Sequence, residues 1–158
     1  MSTGLERPAR GLLDTNVLIL RSCVDPAELP EEMAISAITL AELSAGPHQV
    51  RTAREQNVYD EHRERARRLE ILQRAENEFD PVRFDTEAAR MYGRVVAALV
   101  GSGRSPRRRL ADLLIAATAL AEGLPLFTAK PDDFLGLETV LKVVPVTRPL
   151  VPPDQSIM

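Results

Sequence analysis

Residues 11–18 read Gly-Leu-Leu-Asp-Thr-Asn-Val-Leu. An uncharged run, Gly11 to Leu13, stops at a carboxylate, passes through a polar turn and becomes apolar again from Val17 to Cys23. The stretch predicts a short buried strand, a sharp turn and a helix. The pattern recurs downstream. Met33–Ser36 reads as a second strand, and Ile38–Ala45 as a helix ended by Gly46-Pro47. Residues 48–77 are rich in Arg, Glu and Gln, with Val58, Ala66, Leu69 and Leu72 as sparse apolar contacts. They predict a long exposed helix or helix pair. Pro81–Phe84 reads as a brief strand, and Asp85 as the cap of a helix with the stripe Ala88, Met91, Tyr92, Val95, Val96 and Leu99. Ser105-Pro106 predicts a helix start, serine capping and proline in the first turn, with the helix running to Glu122 and stopping at Gly123. Leu124–Phe127 and Val140–Val146 read as further strands. Residues 1–10 and the tail with Pro149, Pro152 and Pro153 read as irregular. Strands alternating with helices imply an α/β fold whose parallel sheet is covered on both faces. Such sheets bind ligands at the carboxyl ends of their strands.

The chain has 158 residues, enough for one domain with a sizeable core. Hydrophobic residues make up 44% but aromatics only 4%, so the core is expected to be aliphatic. The net charge of −3 does not advertise a nucleic-acid binder. Among the basic residues only Lys130 and Lys142 are lysines. Cys23 is the sole cysteine, which excludes an intrachain disulfide and a Cys-based zinc site. His48 and His62 stand in charged surroundings and read as solvated surface. No apolar run approaches the roughly 20 residues needed to span a membrane. With no signal-peptide core at the N-terminus, a cytoplasmic protein is expected.

The strand-end rule makes the acids informative. Asp14 directly follows the first strand. Glu42 lies about one turn into the helix after the second. Asp112 is expected in the second turn of the helix leading to the Leu124–Phe127 strand, and Asp132 and Asp133 follow that strand. A helix feeding a parallel strand runs antiparallel to it, so its N-terminal end sits at the strands' carboxyl edge. Four separate segments thus send a carboxylate toward one end of the sheet. Two ionised carboxylates within ~5 Å repel by about 3 kcal/mol at an effective dielectric near 20. A cluster of them needs a compensating cation or raised pKa values. Their hard oxygens suit Mg²⁺ or Mn²⁺, and the chemistry such an ion serves is usually phosphoryl transfer.

Each acid has a plainer explanation as well. Asp14 can cap the following helix. Thr39-x-x-Glu42 has the form of a capping box, with Ile38 and Leu43 as its staple. Asp132 and Asp133 can complement the dipole of a helix opened by Pro131. Asp112 resists such readings best, because Leu110, Leu113, Leu114, Ile115, Ala116 and Ala117 surround it. A carboxylate there is costly unless paired or metal-bound, the alternative being an ion pair with Arg107, Arg108 or Arg109. These three arginines and Arg104 form the densest basic cluster. At the rim of an acidic pocket they are placed to grip phosphates; otherwise they are a solvated helix start that opposes the dipole.

Leu12–Leu18 resembles the opening motif of the PIN-domain nucleases. Ser36–Leu43 with Gly46 is similar to the family's second motif, Asp112–Ala119 to its third, and Phe127-Thr128 with Pro131–Phe134 to its fourth. The order and spacing hold over roughly residues 11–146, and the small form most resembles the VapC toxins. The resemblance implies one PIN domain over 1–158 with irregular termini, a three-layer α/β/α fold around a mainly parallel sheet, Mg²⁺ or Mn²⁺, and endonucleolytic cleavage of RNA. It implies metal-binding and catalytic roles for Asp14, Glu42, Asp112 and Asp133, with Asp132 the alternative fourth acid. Where the family often has Asn or Asp two residues after the threonine, this chain has Lys130, which can instead meet a substrate phosphate. Thr15, Asn16 and Thr128 match site-lining positions, and Arg107, Arg108 and Arg109 join Lys130 as substrate-positioning candidates. A homodimer and a VapB-type antitoxin are the implied partners, with apolar residues of the helices at 17–23 and 36–45 available for contact. Two rivals stand beside this reading: a non-catalytic PIN-like RNA-binding or interaction module, and a Mg²⁺-dependent phosphatase. The second is disfavoured because no second acid stands two residues after Asp14.

Overall fold

The computed structural model describes residues 8–50, 60–106 and 109–150. Four strands, β1 (Arg10–Leu13), β2 (Glu32–Ala34), β3 (Leu126–Thr128) and β4 (Val143–Pro145), form one sheet in the order β2-β1-β3-β4. All three pairings are parallel. Five helices accompany them among the described residues: α1 (Thr15–Leu20), α2 (Ala37–Ala45), α3 (Glu61–Glu78), α4 (Thr86–Gly101) and α5 (Leu110–Glu122).

Alternation of side chains along the central strands builds two cores. Leu12 and Leu126, which pair in register, point to the face covered by α4 and α5, joining Val95, Leu113 and Ile115. Their neighbours Leu13 and Phe127 point the opposite way, to Val17, Ile35, Leu43 and Ala75 from the side of α1, α2 and α3. Two apolar clusters on opposite faces of one sheet give the three-layer α/β/α arrangement. Gly11, with no side chain, leaves room for the Phe127 ring against β1; a Cβ there would lie 2.3 Å from that ring.

From β1 the chain moves outward to β2, and from β3 it moves outward to β4 on the other side. The order therefore reverses between β1 and β3, and a crevice opens at their carboxyl ends. Asp14 and Thr128 stand there.

Several boundaries differ from the sequence reading. The first helix begins at Thr15 and gives way to a 3-10 turn at Arg21–Cys23. The long polar helix is α3, Glu61–Glu78; Gly46–Gln49 forms a 3-10 turn, and 51–59, with Val58, lie outside the described residues. Pro81–Phe84 contributes a single bridge, Ser36 to Val82. The strand over 124–127 is β3 at 126–128, and that over 140–146 shortens to β4. Asp85 does cap α4, accepting from Ala88 N at 2.9 Å.

Two corrections bear on the acids. The cap of α2 is Ser36, whose hydroxyl accepts from Thr39 N at 3.0 Å, so the Thr39–Glu42 capping box does not form and Glu42 is not engaged in capping. The third-motif helix begins at Leu110 rather than at Ser105-Pro106, because Arg109 adopts a left-handed conformation (φ 63°) that cannot continue a helix. Asp112 accordingly lies in the first turn of α5, where the helix dipole favours a carboxylate.

Candidate metal centre

Asp14 follows β1 directly, caps α1 and is buried, with 3% of its surface exposed. Its carboxylate accepts three hydrogen bonds: from Thr15 N at 2.9 Å, from Asn16 Nδ2 at 3.1 Å and from Thr128 Oγ1 at 2.8 Å. The capping reading of Asp14 is borne out, and it leaves the carboxylate at the end of β1 where a ligand role is open to it. Asn16 turns its other end to Ala129 N at 3.1 Å, and Lys130 N donates to Thr128 Oγ1 at 3.0 Å, so the turns after β1 and β3 are tied to each other. Burial raises the Asp14 pKa; the bonds from Thr128 and Thr15 oppose it, and the charges of Glu42 and Asp133 add to it.

Glu42 is exposed on α2 and accepts from Thr15 Oγ1 at 2.7 Å. Thr15 Oγ1 also lies 2.9 Å from Thr39 Oγ1, which is 3.4 Å from Ser36 Oγ. A carboxylate only accepts, so the Thr15 proton goes to Glu42, the Thr39 proton to Thr15 and the Ser36 proton to Thr39. A directed relay of hydroxyls runs from the α2 cap to the carboxylate. Sequence reasoning missed Ser36 and Thr39 as supports of Glu42; the signal was present in the cap spacing Ser36-x-x-Thr39.

Asp112 reaches the same crevice from α5, and its pKa is pushed up to about 6. Burial is the largest cause, followed by the negative charges of Asp14, Asp133 and Glu42, with Arg109 pulling the other way. Asp133, in the 3-10 turn Pro131–Phe134, is half-buried and acts on Asp14 and Asp112, whereas Asp132 is exposed. The fold therefore brings together Asp14, Glu42, Asp112 and Asp133 and leaves Asp132 outside.

Arg109 forms an ion pair with Asp133 and lies 4.0 Å from Asp112 Oδ2. Its left-handed backbone costs a non-glycine residue on the order of 1 kcal/mol. Lys130 is exposed. Arg107 and Arg108 lie outside the described residues.

The donor set fits a hard divalent cation. Four carboxylates meet from four elements, all-oxygen and without sulfur or imidazole, and their mutual repulsion is visible in Asp112. Two of them already have partners: Thr15 engages Glu42 and Arg109 engages Asp133. Among the described residues no three acids, histidines or cysteines are closed around one ion-sized point.

A groove of about 640 Å³ opens beside Glu42 and Thr15 and is walled by Ile19, Ile38, Leu43 and Leu114. A larger cavity of about 800 Å³ lies between α1 and α3 against Leu18, Arg21, Ile71 and Pro149, and none of the four acids lines it. His48 and His62 are both exposed. No helix among the described residues is long and apolar enough to cross a membrane.

The PIN domain family matches residues 11–137. Ribonuclease VapC5 of Mycobacterium tuberculosis is 39% identical over 140 residues, covering 86% of this chain and 93% of the relative. The crystal structure of VapBC-5 from Mycobacterium tuberculosis, a member of the VapBC family of toxin–antitoxin systems, contains a similar chain. It matches with a TM-score of 0.72 at 35% identity, covering 88% of this chain and 100% of that one. DNA-bound VapBC from Salmonella typhimurium shares the fold, with a TM-score of 0.60 at 24% identity over 85% of this chain and 96% of that one.

Proposed function

Because this chain belongs to the PIN-domain family, we propose that it is the ribonuclease of a VapBC toxin–antitoxin pair, cutting RNA phosphodiester bonds with Mg²⁺ or Mn²⁺. The observation that carries the reading is the meeting of Asp14, Glu42, Asp112 and Asp133 at the crevice between β1 and β3. These four acids would hold the metal. When bound, such an ion would make a coordinated water more acidic than bulk water and supply positive charge for the phosphate oxygens.

The chain's own residues prepare the site. Thr15 N, Asn16 and Thr128 fix the position of Asp14, and the bonds from Thr128 and Thr15 oppose the upward push of burial on its pKa. The hydroxyl relay aims Glu42. Asp112, penalised by burial and by its neighbours, is the group whose energy a divalent cation relieves most. Lys130, exposed two residues after Thr128, is available to a flanking phosphate of RNA, a role the sequence also offers to Arg107 and Arg108.

Partners follow from the same reading. A VapB-type antitoxin lays an apolar segment in the groove beside Glu42 and directs an arginine to the acids, a charge-assisted contact that blocks RNA. The toxin is a homodimer of single PIN domains acting in the cytoplasm.

The test is cleavage by the purified full chain with Mg²⁺, with EDTA and as Asp14→Asn, with sequencing of the RNA 5′ ends produced. Metal-dependent, site-specific cuts that vanish in the variant support the proposal. Equal cutting by Asp14→Asn would overturn the site, and cutting in EDTA would overturn the metal.

A further inference from the structure

Arg109 reaches the acids at the first residue before α5, and two observations set it apart. Its guanidinium pairs with Asp133 and lies 4.0 Å from Asp112 Oδ2, so it contacts oxygens on both the third and fourth acid segments. Its backbone is the one non-glycine position with positive φ among the described residues. The side chain is 53% exposed whereas that of Asp133 is 15% exposed, so the guanidinium enters the cluster from the solvent side and can leave by the same route.

We infer that Arg109 is a resident counter-ion: it balances Asp133 and partly offsets Asp112 in the metal-free protein, and surrenders their oxygens when a divalent cation binds. This rests on the reading of the four acids as metal ligands. A guanidinium held on this Asp133 oxygen would repel a divalent cation bound beside it, so the pair opposes coordination while it persists. Metal loading is therefore an exchange of a delocalised single charge for a compact double one. The guanidinium keeps the acids compatible with the fold when metal is scarce, and its displacement weakens apparent metal affinity.

The full chain is tested as wild type, Arg109→Gln and Arg109→Gly. Glycine adopts the left-handed backbone without strain and removes the charge with little risk to folding. Metal-free protein is titrated with MnCl₂ by calorimetry at fixed ionic strength, and each form is melted in EDTA and in Mn²⁺. Both variants should bind Mn²⁺ about tenfold more tightly than wild type, the expected scale for removing one close competing charge. Their melting temperature should also rise more on adding Mn²⁺. Equal or weaker Mn²⁺ affinity in either folded variant overturns the inference while leaving the metal site standing. If the wild type binds no Mn²⁺ and Asp14→Asn behaves identically, the metal reading fails, and this one with it.

Discussion

The hydroxyl of Thr128 donates to Asp14 Oδ2 at 2.8 Å, joining the ends of the two central strands across 114 positions of sequence. Both groups are buried, and this bond is the strongest influence opposing the upward push of burial on the Asp14 pKa. Thr128→Val keeps the shape and removes the donor. Stability should fall by about 1–3 kcal/mol, the cost of leaving a buried acceptor short of a partner. The Asp14 pKa should rise further and RNA cleavage should drop. Chemical denaturation and cleavage rates measured together check this; unchanged values in both would mean the bond is idle.

Asp112 gives a pH prediction with a definite sign. Its carboxyl titrates at about 6 in the fold, against 3.8 for an unperturbed side chain. The folded state therefore binds this proton more tightly than the unfolded state. The stabilising contribution is complete below the unfolded pKa and is lost as pH rises through about 6. In EDTA, Asp112→Asn should melt a few degrees above wild type at neutral pH, and the difference should vanish near pH 4. Cleavage should be abolished. A variant less stable than wild type at neutral pH would show that the acid was paired rather than repelled.

Much of this candidate site is legible in the sequence. Leu12-Leu13-Asp14 announced a buried strand ending in a carboxylate because the change from apolar to charged is local and abrupt. The placement of Glu42 and Asp112 followed from chain direction in parallel sheets. What escaped was set by backbone conformation. Ser105-Pro106 carries a strong start signal, yet the left-handed turn at Arg109 moves the start of α5 to Leu110. The cap of α2 lay three residues upstream of the one inferred, since Ser36 and Thr39 offer competing hydroxyls that sequence does not rank. The choice of Asp133 over Asp132 likewise depends on which side of a 3-10 turn each residue faces.

The hydroxyl relay predicts an effect on a residue that the substitution does not touch. Thr39→Val breaks the link between Ser36 and Thr15 and frees Thr15 to turn from Glu42. Metal affinity should fall roughly 10-fold, the scale seen when the partners of a ligand are removed. The α2 cap, made by the Thr39 backbone, should survive. Mn²⁺ calorimetry alongside circular dichroism separates the two; a large loss of helix would mean the relay is structural only.

Gly11 tests the packing between the central strands. An added methyl would lie 2.3 Å from the Phe127 ring and 3.2 Å from Pro30. Gly11→Ala should destabilise by about 1–3 kcal/mol through overpacking. Gly93→Ala, on α4 with open space around its Cα, should be neutral or stabilising. Equal melting temperatures for the two variants would contradict the close approach of β1 and Phe127.

The parallel pairing of β1 with β3 also governs when the candidate site can form. β1 is translated early, but its partner and the turn carrying Asp133 emerge only after more than a hundred further residues. A nascent or truncated polypeptide lacking that strand has no crevice and an incomplete set of acids. The four acids thus cannot be brought together until β3 and the turn after it have been made, a timing that comes from the order of the strands.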